Sequence, residues 1–336
     1  MKMLIFDYRE SEKQYFKTHK YPNYDITFYS DNLTDKTELS EEEFNETQII
    51  SIFVSSQITE SVLKKFKNLR IIATRSRGYN HINVQACADR NLALLNVNGY
   101  GKRSVAQYTI AMILGLIRNI SPAMCDFKNN TINFDDYIGY DLSELAIGVI
   151  GTGAIGSAVC EISNFFGMRV YAFDYKINEK IKDIVHYVPL EQLYKNSNII
   201  TLHLPYNDDN YHMISDKEFE IMPNGVYIIN SARGELVDSL ALYNSIKTGK
   251  VKGAALDVLE CESLNMYPDD FIHLVKDSTC DCLTNAIVNQ KLLCERNVII
   301  TPHIAYNTYE SVNTILNETF ENIKLCLMGR SQNRIV

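Results

Sequence analysis

The sequence predicts an α/β protein with two doubly wound parallel sheets. Short apolar runs alternate with longer helical patterns along most of the chain, which is typical of βαβ units. One helical stretch that is apolar on nearly all sides separates two such series of strands. The length of 336 residues fits about two domains.

The first series of strands lies in the N-terminal hundred residues, where we predict strands at 3–7, 25–29, 49–54, 70–74 and 92–96. The separating helix follows at 105–120. It must be buried, and burial between domains or between subunits would suit its place between the two sheets. The second series has predicted strands at 147–151, 169–173, 199–203, 226–230, 253–257 and 298–301. A final helix at 309–328 could pack on the first sheet. We therefore predict a discontinuous domain of residues 1–99 plus 306–336 and a second domain of residues 100–305.

Composition excludes several classes of protein. The 33 basic and 41 acidic residues give a net charge of −8, which argues against nucleic acid or an anionic membrane surface as a partner. We see no apolar run of about 18 residues, as a membrane span needs, and no secretory signal at the N-terminus. We therefore expect a cytoplasmic protein whose eight cysteines are thiols.

A glycine pattern follows the first strand of the second series. Gly151, Gly153 and Gly156 form G-x-G-x-x-G between a strand and a helix, where such a turn binds a dinucleotide pyrophosphate. Asp174 ends the next strand, 18 residues after Gly156, where an acid accepts hydrogen bonds from the adenosine ribose. Because Asp174 would repel a 2′-phosphate, NAD is favoured over NADP, although Lys176 lies nearby. The alternative is that Asp174 is an ordinary strand-end cap.

Three later strands are followed by polar residues that could bind a substrate or transfer a proton. Arg233 offers a planar fork for a carboxylate, and His303 can exchange a proton near neutral pH. Glu260 and Glu262 follow Asp257, and a glutamate beside the histidine would raise its pKa and fix its tautomer. Because ligands bind at the carboxyl ends of parallel strands, these segments can converge on one cofactor. Taken singly, an arginine here could equally form a surface ion pair and a histidine could be structural.

These motifs resemble a known family. Residues 148–156, the Asn-Ser-Ala-Arg-Gly turn at 230–234, residues 255–262 and Thr-Pro-His at 301–303 resemble the D-isomer-specific 2-hydroxyacid dehydrogenases. The resemblance spans nearly the whole chain and is strongest to the D-lactate dehydrogenase branch, which includes the vancomycin-resistance type. It implies a Rossmann NAD-binding domain, a flavodoxin-like substrate domain, NAD as cofactor and a small 2-oxo or 2-hydroxy acid as substrate. Pyruvate and D-lactate are the default pair.

The resemblance also implies roles for particular residues. Arg233 would bind the substrate carboxylate, His303 would protonate the carbonyl oxygen, and Glu262, rather than Glu260, would pair with His303. Asp257 would contact the nicotinamide carboxamide. The implied cofactor-binding residues are Gly151, Gly153, Ala154, Ile155, Gly156, Asp174, Leu204, Pro205, Asn210, Ser231, Ala232, Arg233 and Asp257. The implied substrate-binding residues are Arg77, Gly78, Tyr100 and Arg233.

The sequence departs from the family near the expected substrate mouth. Arg77 stands where a small or apolar residue is usual, and Lys102 and Arg103 stand where Pro and a small polar residue are usual. These cations could bind a second acidic group, as on 2-oxoglutarate, or they could be simply exposed. A second alternative is an NAD(H)-sensing binding protein or corepressor. We expect a homodimer formed through the helix region at 101–120.

The cysteines do not predict a metal site. Cys261, Cys280, Cys282 and Cys294 lack the paired spacing of zinc ligands, and no histidine accompanies them at the required distance. We therefore expect free thiols and no bound metal. Cys261 would have a raised thiol pKa because it lies between two glutamates, which makes it a poor nucleophile.

Overall fold

The computed structural model describes residues 1–266, 280–330 and 332–336. The chain forms two compact units. One unit contains Met1–Tyr100 and Asn307–Val336, and the other contains Gly101–Tyr306.

The first unit is built on a parallel sheet. In the residues described for this unit, the strands are β1 (Lys2–Ile5), β2 (Asp25–Phe28), β3 (Thr47–Ile52), β4 (Ile71–Thr74) and β5 (Ala93–Leu95), in the order β2-β1-β3-β4-β5. Its helices are a 3₁₀ turn at Glu10–Glu12 and α-helices at Lys13–Thr18, Glu41–Glu46, Glu60–Lys65, Val84–Asp89 and Tyr309–Leu327. The last helix packs on β4 and β5 and buries Phe320 and Ile323 against the sheet.

The second unit carries a wider parallel sheet. Its described strands are β6 (Ala146–Ile150), β7 (Arg169–Phe173), β8 (His186–Tyr187), β9 (Ile199–Leu202), β10 (Val226–Asn230), β11 (Val251–Leu256) and β12 (Val298–Ile300), in the order β12-β11-β10-β9-β6-β7-β8. Its α-helices are Lys102–Ile117, Ile120–Asn129, Ala154–Phe165, Leu190–Asn196, Asp216–Ile221, Ser239–Lys247, Ser263–Met266 and Cys280–Leu293, and 3₁₀ turns lie at Phe134–Tyr137, Leu142–Glu144, Asp208–Asn210 and Gly234–Leu236.

The apolar helix has the predicted length but begins and ends three residues earlier than predicted, and a second helix follows it. The helix Lys102–Ile117 is buried inside its own unit, where it packs on the helix Ala154–Phe165 and on β11. It ends because Asn119 adopts a left-handed backbone with φ 51°, which an α-helix cannot continue through. The following helix, Ile120–Asn129, is bent by 57° from the first.

Within the described ranges, no single helix has the length and apolar character that crossing a membrane requires. The bent pair Lys102–Ile117 and Ile120–Asn129 meets that requirement only when the two helices are taken together, on length and composition alone.

The predicted fold class is confirmed, because both sheets are parallel in every described strand pair and carry helices between strands. Strands β7 and β10 have the predicted bounds, and the other predicted strands differ by one or two residues at an end. The sequence did not predict β8, a two-residue edge strand with exposed and half-buried side chains. Such a strand leaves no periodic pattern to detect.

Candidate active site

The glycine pattern forms a tight turn between β6 and the helix Ala154–Phe165. Gly151 adopts φ +92°, and a Cβ at this position would lie 2.7 Å from the carbonyl oxygen of His203. A Cβ at Gly156 would lie 1.8 Å from the carbonyl oxygen of Gly151, so the helix can approach the strand only without a side chain there. At Gly153 a Cβ would meet nothing within 4 Å, which leaves open space beside the start of the helix.

This turn fits a dinucleotide phosphate. The helix begins at Ala154, so Ala154 and Ile155 are among the first residues, whose backbone N–H groups have no partner inside a helix. Those N–H groups and the positive end of the helix dipole attract an anion. The open space at Gly153 allows the anion to approach the backbone closely.

Asp174 follows the end of β7 and is bonded to the glycine-rich turn. Its Oδ2 accepts hydrogen bonds from the Thr152 backbone N–H at 2.6 Å and from Thr152 Oγ1 at 3.2 Å. Its Oδ1 accepts from the backbone N–H of Lys176 at 3.1 Å. Tyr187 donates to Thr152 Oγ1 at 2.9 Å. Strand β8, which the sequence did not predict, therefore helps to hold Thr152 and the glycine-rich turn in place. The contact of Asp174 with a ribose stays a prediction.

Asp257 anchors the loop that carries His303. It follows β11, and its side chain is fully buried. Oδ1 accepts from Thr301 Oγ1 at 2.6 Å and from the Ile304 N–H at 2.9 Å, while Oδ2 accepts from the Ala305 N–H at 2.8 Å. Burial raises the pKa of Asp257, and these hydrogen bonds oppose that rise. The predicted contact with the nicotinamide is untested, whereas the anchoring contacts were not predicted.

His303 and Glu262 form a hydrogen-bonded pair. His303 Nδ1 lies 2.8 Å from Glu262 Oε1, and the two side chains are 37% and 30% exposed. Because the carboxylate accepts, Nδ1 carries the proton of this bond. His303 Nε2 has no hydrogen-bond partner in the part of the chain that the structure describes, so it is available to a bound molecule.

Arg233 lies at the end of β10, the strand beside β11, so the three strand ends β10, β11 and β12 are neighbours. Its guanidinium donates to the carbonyl oxygen of Ala232 at 2.6 Å. Among the described residues it forms no ion pair, which leaves the positive charge for a ligand. Gly234, the next residue, packs against the backbone of Leu259 and Glu260.

The other predicted cofactor residues lie near the same sheet edge. Ser231 Oγ shares a hydrogen bond of 2.8 Å with Thr109 Oγ1, and the Ala232 N–H donates to Asn230 Oδ1 at 3.0 Å. Leu204 lies against Gly151. Asn210 donates from Nδ2 to the carbonyl oxygen of Pro205 at 2.8 Å. Their contacts with a cofactor stay predictions.

Three of the predicted substrate residues lie together in the first unit. The Arg77 N–H donates to Tyr100 Oη at 3.3 Å, and the carbonyl oxygen of Gly78 accepts from Ser76 Oγ at 2.7 Å. Asn96 Nδ2 also donates to the carbonyl oxygen of Arg77 at 2.9 Å, so the turn is held by side chains on both sides. Arg77 is exposed, as are Lys102 and Arg103 in the second unit.

Comparison with known proteins identifies the family. Residues 110–305 match the family D-isomer specific 2-hydroxyacid dehydrogenase, NAD binding domain. The chain belongs to this family. It is an NAD-dependent oxidoreductase acting on a CH–OH group, and the predicted family and cofactor are confirmed.

The relatives differ in the substrates that their names state. The chain is 37% identical to an aromatic 2-oxoacid reductase of Clostridium sporogenes, over 85% of each protein. It is 38% identical to a D-specific alpha-keto acid dehydrogenase of Enterococcus faecium, over 82% of each. A solved D-lactate dehydrogenase from Aquifex aeolicus, complexed with NAD and lactic acid, is 32% identical with a TM-score of 0.80, and the match covers 97% of this chain and 96% of that one.

One cluster of this dehydrogenase was not predicted. Glu260 is buried and accepts from Tyr211 Oη at 2.9 Å, while His212 Nε2 lies 3.1 Å from both of its carboxylate oxygens. Burial, and then the hydrogen bond to Glu260, raise the pKa of Tyr211 to about 12. Nearly fifty residues separate Glu260 from these partners, so no local pattern in the sequence connects them.

The prediction that all cysteines are free thiols is wrong. Cys261 and Cys282 form a disulfide, with their Cα atoms 5.6 Å apart. The fold brings the start of the helix Cys280–Leu293 beside the segment after β11, which spacing in the sequence does not reveal. Cys294 is a free and exposed thiol, whereas the side chain of Cys280 lies outside the described structure. Where the structure describes side chains, no group of three or more His, Cys, Asp or Glu could hold a metal ion.

Proposed function

We propose that this dehydrogenase reduces a 2-oxoacid to a D-2-hydroxyacid, with His303 as the general acid. The observation that carries the proposal is the 2.8 Å bond between His303 Nδ1 and Glu262, which leaves Nε2 with no partner among the described residues. The bond to Glu262 fixes the orientation of the His303 ring and keeps a proton on Nδ1. A protonated Nε2 can then donate to the carbonyl oxygen of the substrate.

The other residues bind and orient the reactants. The nicotinamide of NADH supplies the hydride when the cofactor is bound. Arg233, which has no ion-pair partner among the described residues, binds the substrate carboxylate, and the fork geometry of the guanidinium suits a carboxylate. After the reaction His303 is neutral, with its remaining proton on Nδ1 in the hydrogen bond to Glu262, and Nε2 then takes up a proton from solvent.

We assign the cofactor to the glycine-rich turn. The N–H groups of Ala154 and Ile155 bind the pyrophosphate, and Asp174 accepts hydrogen bonds from the adenosine ribose. Leu204, Pro205 and Asn210 contact the adenine end, and residues 231–233 contact the nicotinamide end.

Pyruvate is the proposed 2-oxoacid, and the solved relative complexed with lactic acid supports this choice. An aromatic 2-oxoacid is the second candidate, because the relative from Clostridium sporogenes is named for it. A dicarboxylic 2-oxoacid is the third candidate, because the exposed guanidinium of Arg77 could bind its second carboxylate. With any of the three substrates, the backbone of Arg77 and Gly78 together with Tyr100 would bind the carboxylate next to the keto group.

A substrate panel tests these proposals. NADH oxidation is followed with pyruvate, 2-oxobutyrate, phenylpyruvate and 2-oxoglutarate, and the chirality of each product is measured. We expect D-lactate from pyruvate at the highest kcat/KM. A higher kcat/KM for phenylpyruvate would reject pyruvate in favour of an aromatic substrate. A preference for 2-oxoglutarate that Arg77→Leu removes would identify Arg77 as the contact for a second carboxylate.

We also propose a cytoplasmic homodimer. The helix Lys102–Ile117 buries most of its apolar residues within its own unit, but exposed apolar side chains follow it. Phe127, Phe134 and Ile138 are 72%, 83% and 73% exposed. Large exposed apolar side chains of this kind can mark a surface that a second protein chain covers. Light scattering of the protein and of Phe134→Glu tests this proposal, which predicts a dimer that the variant weakens.

A further inference from the structure

Glu260, two residues before Glu262, is held by side chains that the reaction itself does not require. Its carboxylate is only 5% exposed, and Tyr211 and His212 supply its hydrogen bonds. Burying a carboxylate costs free energy unless donors or a positive charge replace water. A tyrosine and a histidine thus stabilise a buried carboxylate that is not the one paired with His303.

The partners of Glu260 are themselves fixed in place. The rings of Tyr211 and His212 stack with their centroids 3.8 Å apart. The N–H of His212 donates to the carbonyl oxygen of Glu235 at 2.9 Å, and His212 Nδ1 lies 3.6 Å from Asp238 Oδ2. Asp238 in turn caps the helix Ser239–Lys247. The stack is therefore held by contacts with Glu235, Asp238 and Glu260, although Tyr211 is 48% exposed.

Only one residue separates this anchor from Glu262. Cys261 adopts a left-handed backbone with φ 52°, which costs a non-glycine residue free energy and persists only when its surroundings impose it. The carbonyl oxygen of Glu260 accepts from Asn289 Nδ2 at 2.9 Å, and Asn289 is fully buried. Glu262 also accepts from the Leu259 N–H at 3.4 Å, and Cys261 is held by its disulfide to Cys282. The direction in which Glu262 leaves the chain therefore depends on Glu260 together with these contacts.

We propose that His212 is a positioning residue of this dehydrogenase: by bonding Glu260, it holds Glu262 in line with Nδ1 of His303. Tyr211 assists His212 through the same carboxylate. The inference rests on the proposed function, because it takes Glu262 and His303 as the acid pair. Among the described residues, the titratable groups that face the cluster are Tyr206, Tyr211, His212, Glu235, Asp238, Glu260 and Asp281.

Removing the side chain of His212 should lower kcat much more than it changes the KM for NADH. In His212→Ala the Glu262 carboxylate loses its fixed position, and a misplacement of about 1 Å can cost about 10²-fold in rate. We expect kcat to fall by about 10- to 100-fold, and the KM for NADH to change less than about twofold, because the glycine-rich turn is remote in sequence and untouched. A displaced Glu262 carboxylate should act like a neutralised one, so the midpoint of the pH profile for reduction should move to lower pH, in the direction expected for Glu262→Gln.

The experiment compares pH profiles of kcat for the wild type, His212→Ala, His212→Gln and Glu262→Gln, with His186→Ala as control. His186 is an exposed histidine of the same unit and lies outside the cluster. Glutamine can donate to Glu260, so His212→Gln should restore most of kcat and the wild-type midpoint. A purely structural role for His212 would lower the melting temperature without moving the midpoint.

The outcomes separate the two proposals. If Glu262→Gln lowers the midpoint but His212→Ala leaves kcat and midpoint unchanged, or His212→Gln restores neither, the positioning role is wrong and the proposed function stands. If Glu262→Gln does not move the midpoint, the proposed acid pair is itself wrong. Should His212→Ala fail to fold, His212→Leu takes its place, because leucine keeps a bulky side chain but cannot bond Glu260, and an unchanged profile in that variant would overturn the inference.

Discussion

Gly234 lies where the loop after Arg233 meets the segment that carries Glu262, and we expect Gly234→Ala to push the two apart. A Cβ on Gly234 would lie 2.1 Å from the carbonyl carbon of Leu259 and 2.3 Å from the backbone nitrogen of Glu260. Nonbonded carbon atoms rest at about 3.5–4.0 Å, so these backbones must separate by more than about 1 Å. The obstacle is backbone, which cannot rotate away as a side chain can.

The size of the effect follows from that displacement. Overpacking costs about 1–3 kcal/mol of stability, which corresponds to a fall of several degrees in the melting temperature for a unit of this size. Since Glu262 follows the displaced segment, its contact with His303 changes, and a misplacement of about 1 Å can lower kcat/KM by about 10²-fold. The dissociation constant for NADH should change much less.

Gly225→Ala is the matched control, because Gly225 precedes the same strand that Gly234 follows. Gly225 has φ +81°, and a Cβ there would meet no atom within 4 Å. Alanine at this position therefore strains the backbone by about 1–2 kcal/mol without touching the site. Both variants are assayed by NADH oxidation at a temperature where each is folded. If Gly234→Ala keeps kcat/KM within about twofold of Gly225→Ala, the close packing does not position Glu262.

Four further variants test single contacts. His303→Ala should lower kcat for 2-oxoacid reduction by about 10²–10⁴ while NADH affinity is kept, and near-full turnover would exclude His303 as the acid. Asp174→Ala should raise kcat/KM with NADPH, because like-charge repulsion is removed, and a wild type that prefers NADPH would contradict this prediction. Burial raises the pKa of Asp257 in the folded state. The free energy of unfolding of the wild type, relative to that of Asp257→Asn, should therefore fall as the pH rises from about 4 through this raised pKa. Melting curves in which the relative stability of the wild type rises over this pH range would contradict the prediction. Cys261→Ser opens a disulfide that spans 21 residues and should cost about 3 kcal/mol, and a reductant should bring the wild type to the same melting temperature while Cys261→Ser does not respond.

Local patterns in the sequence were sufficient for the fold class and for the glycine-rich turn. The strand and helix periods are properties of neighbouring residues, and Gly151, Gly153 and Gly156 are needed wherever a strand turns so tightly into a helix. The choice of Glu262 over Glu260 as the partner of His303 came from the family resemblance, and the structure brings Glu262 and His303 together.

Tertiary structure alone decided the contacts that fix these residues. Asp257 is predicted as a cofactor contact, yet its carboxylate is bonded to residues 301–305 more than forty positions later. Glu260 is bonded to Tyr211 and His212, and Cys261 to Cys282, across separations that carry no periodic signal. Such pairs depend on how strands β10, β11 and β12 are ordered in the sheet, and that order is set by the packing of the whole unit rather than by any short stretch of sequence.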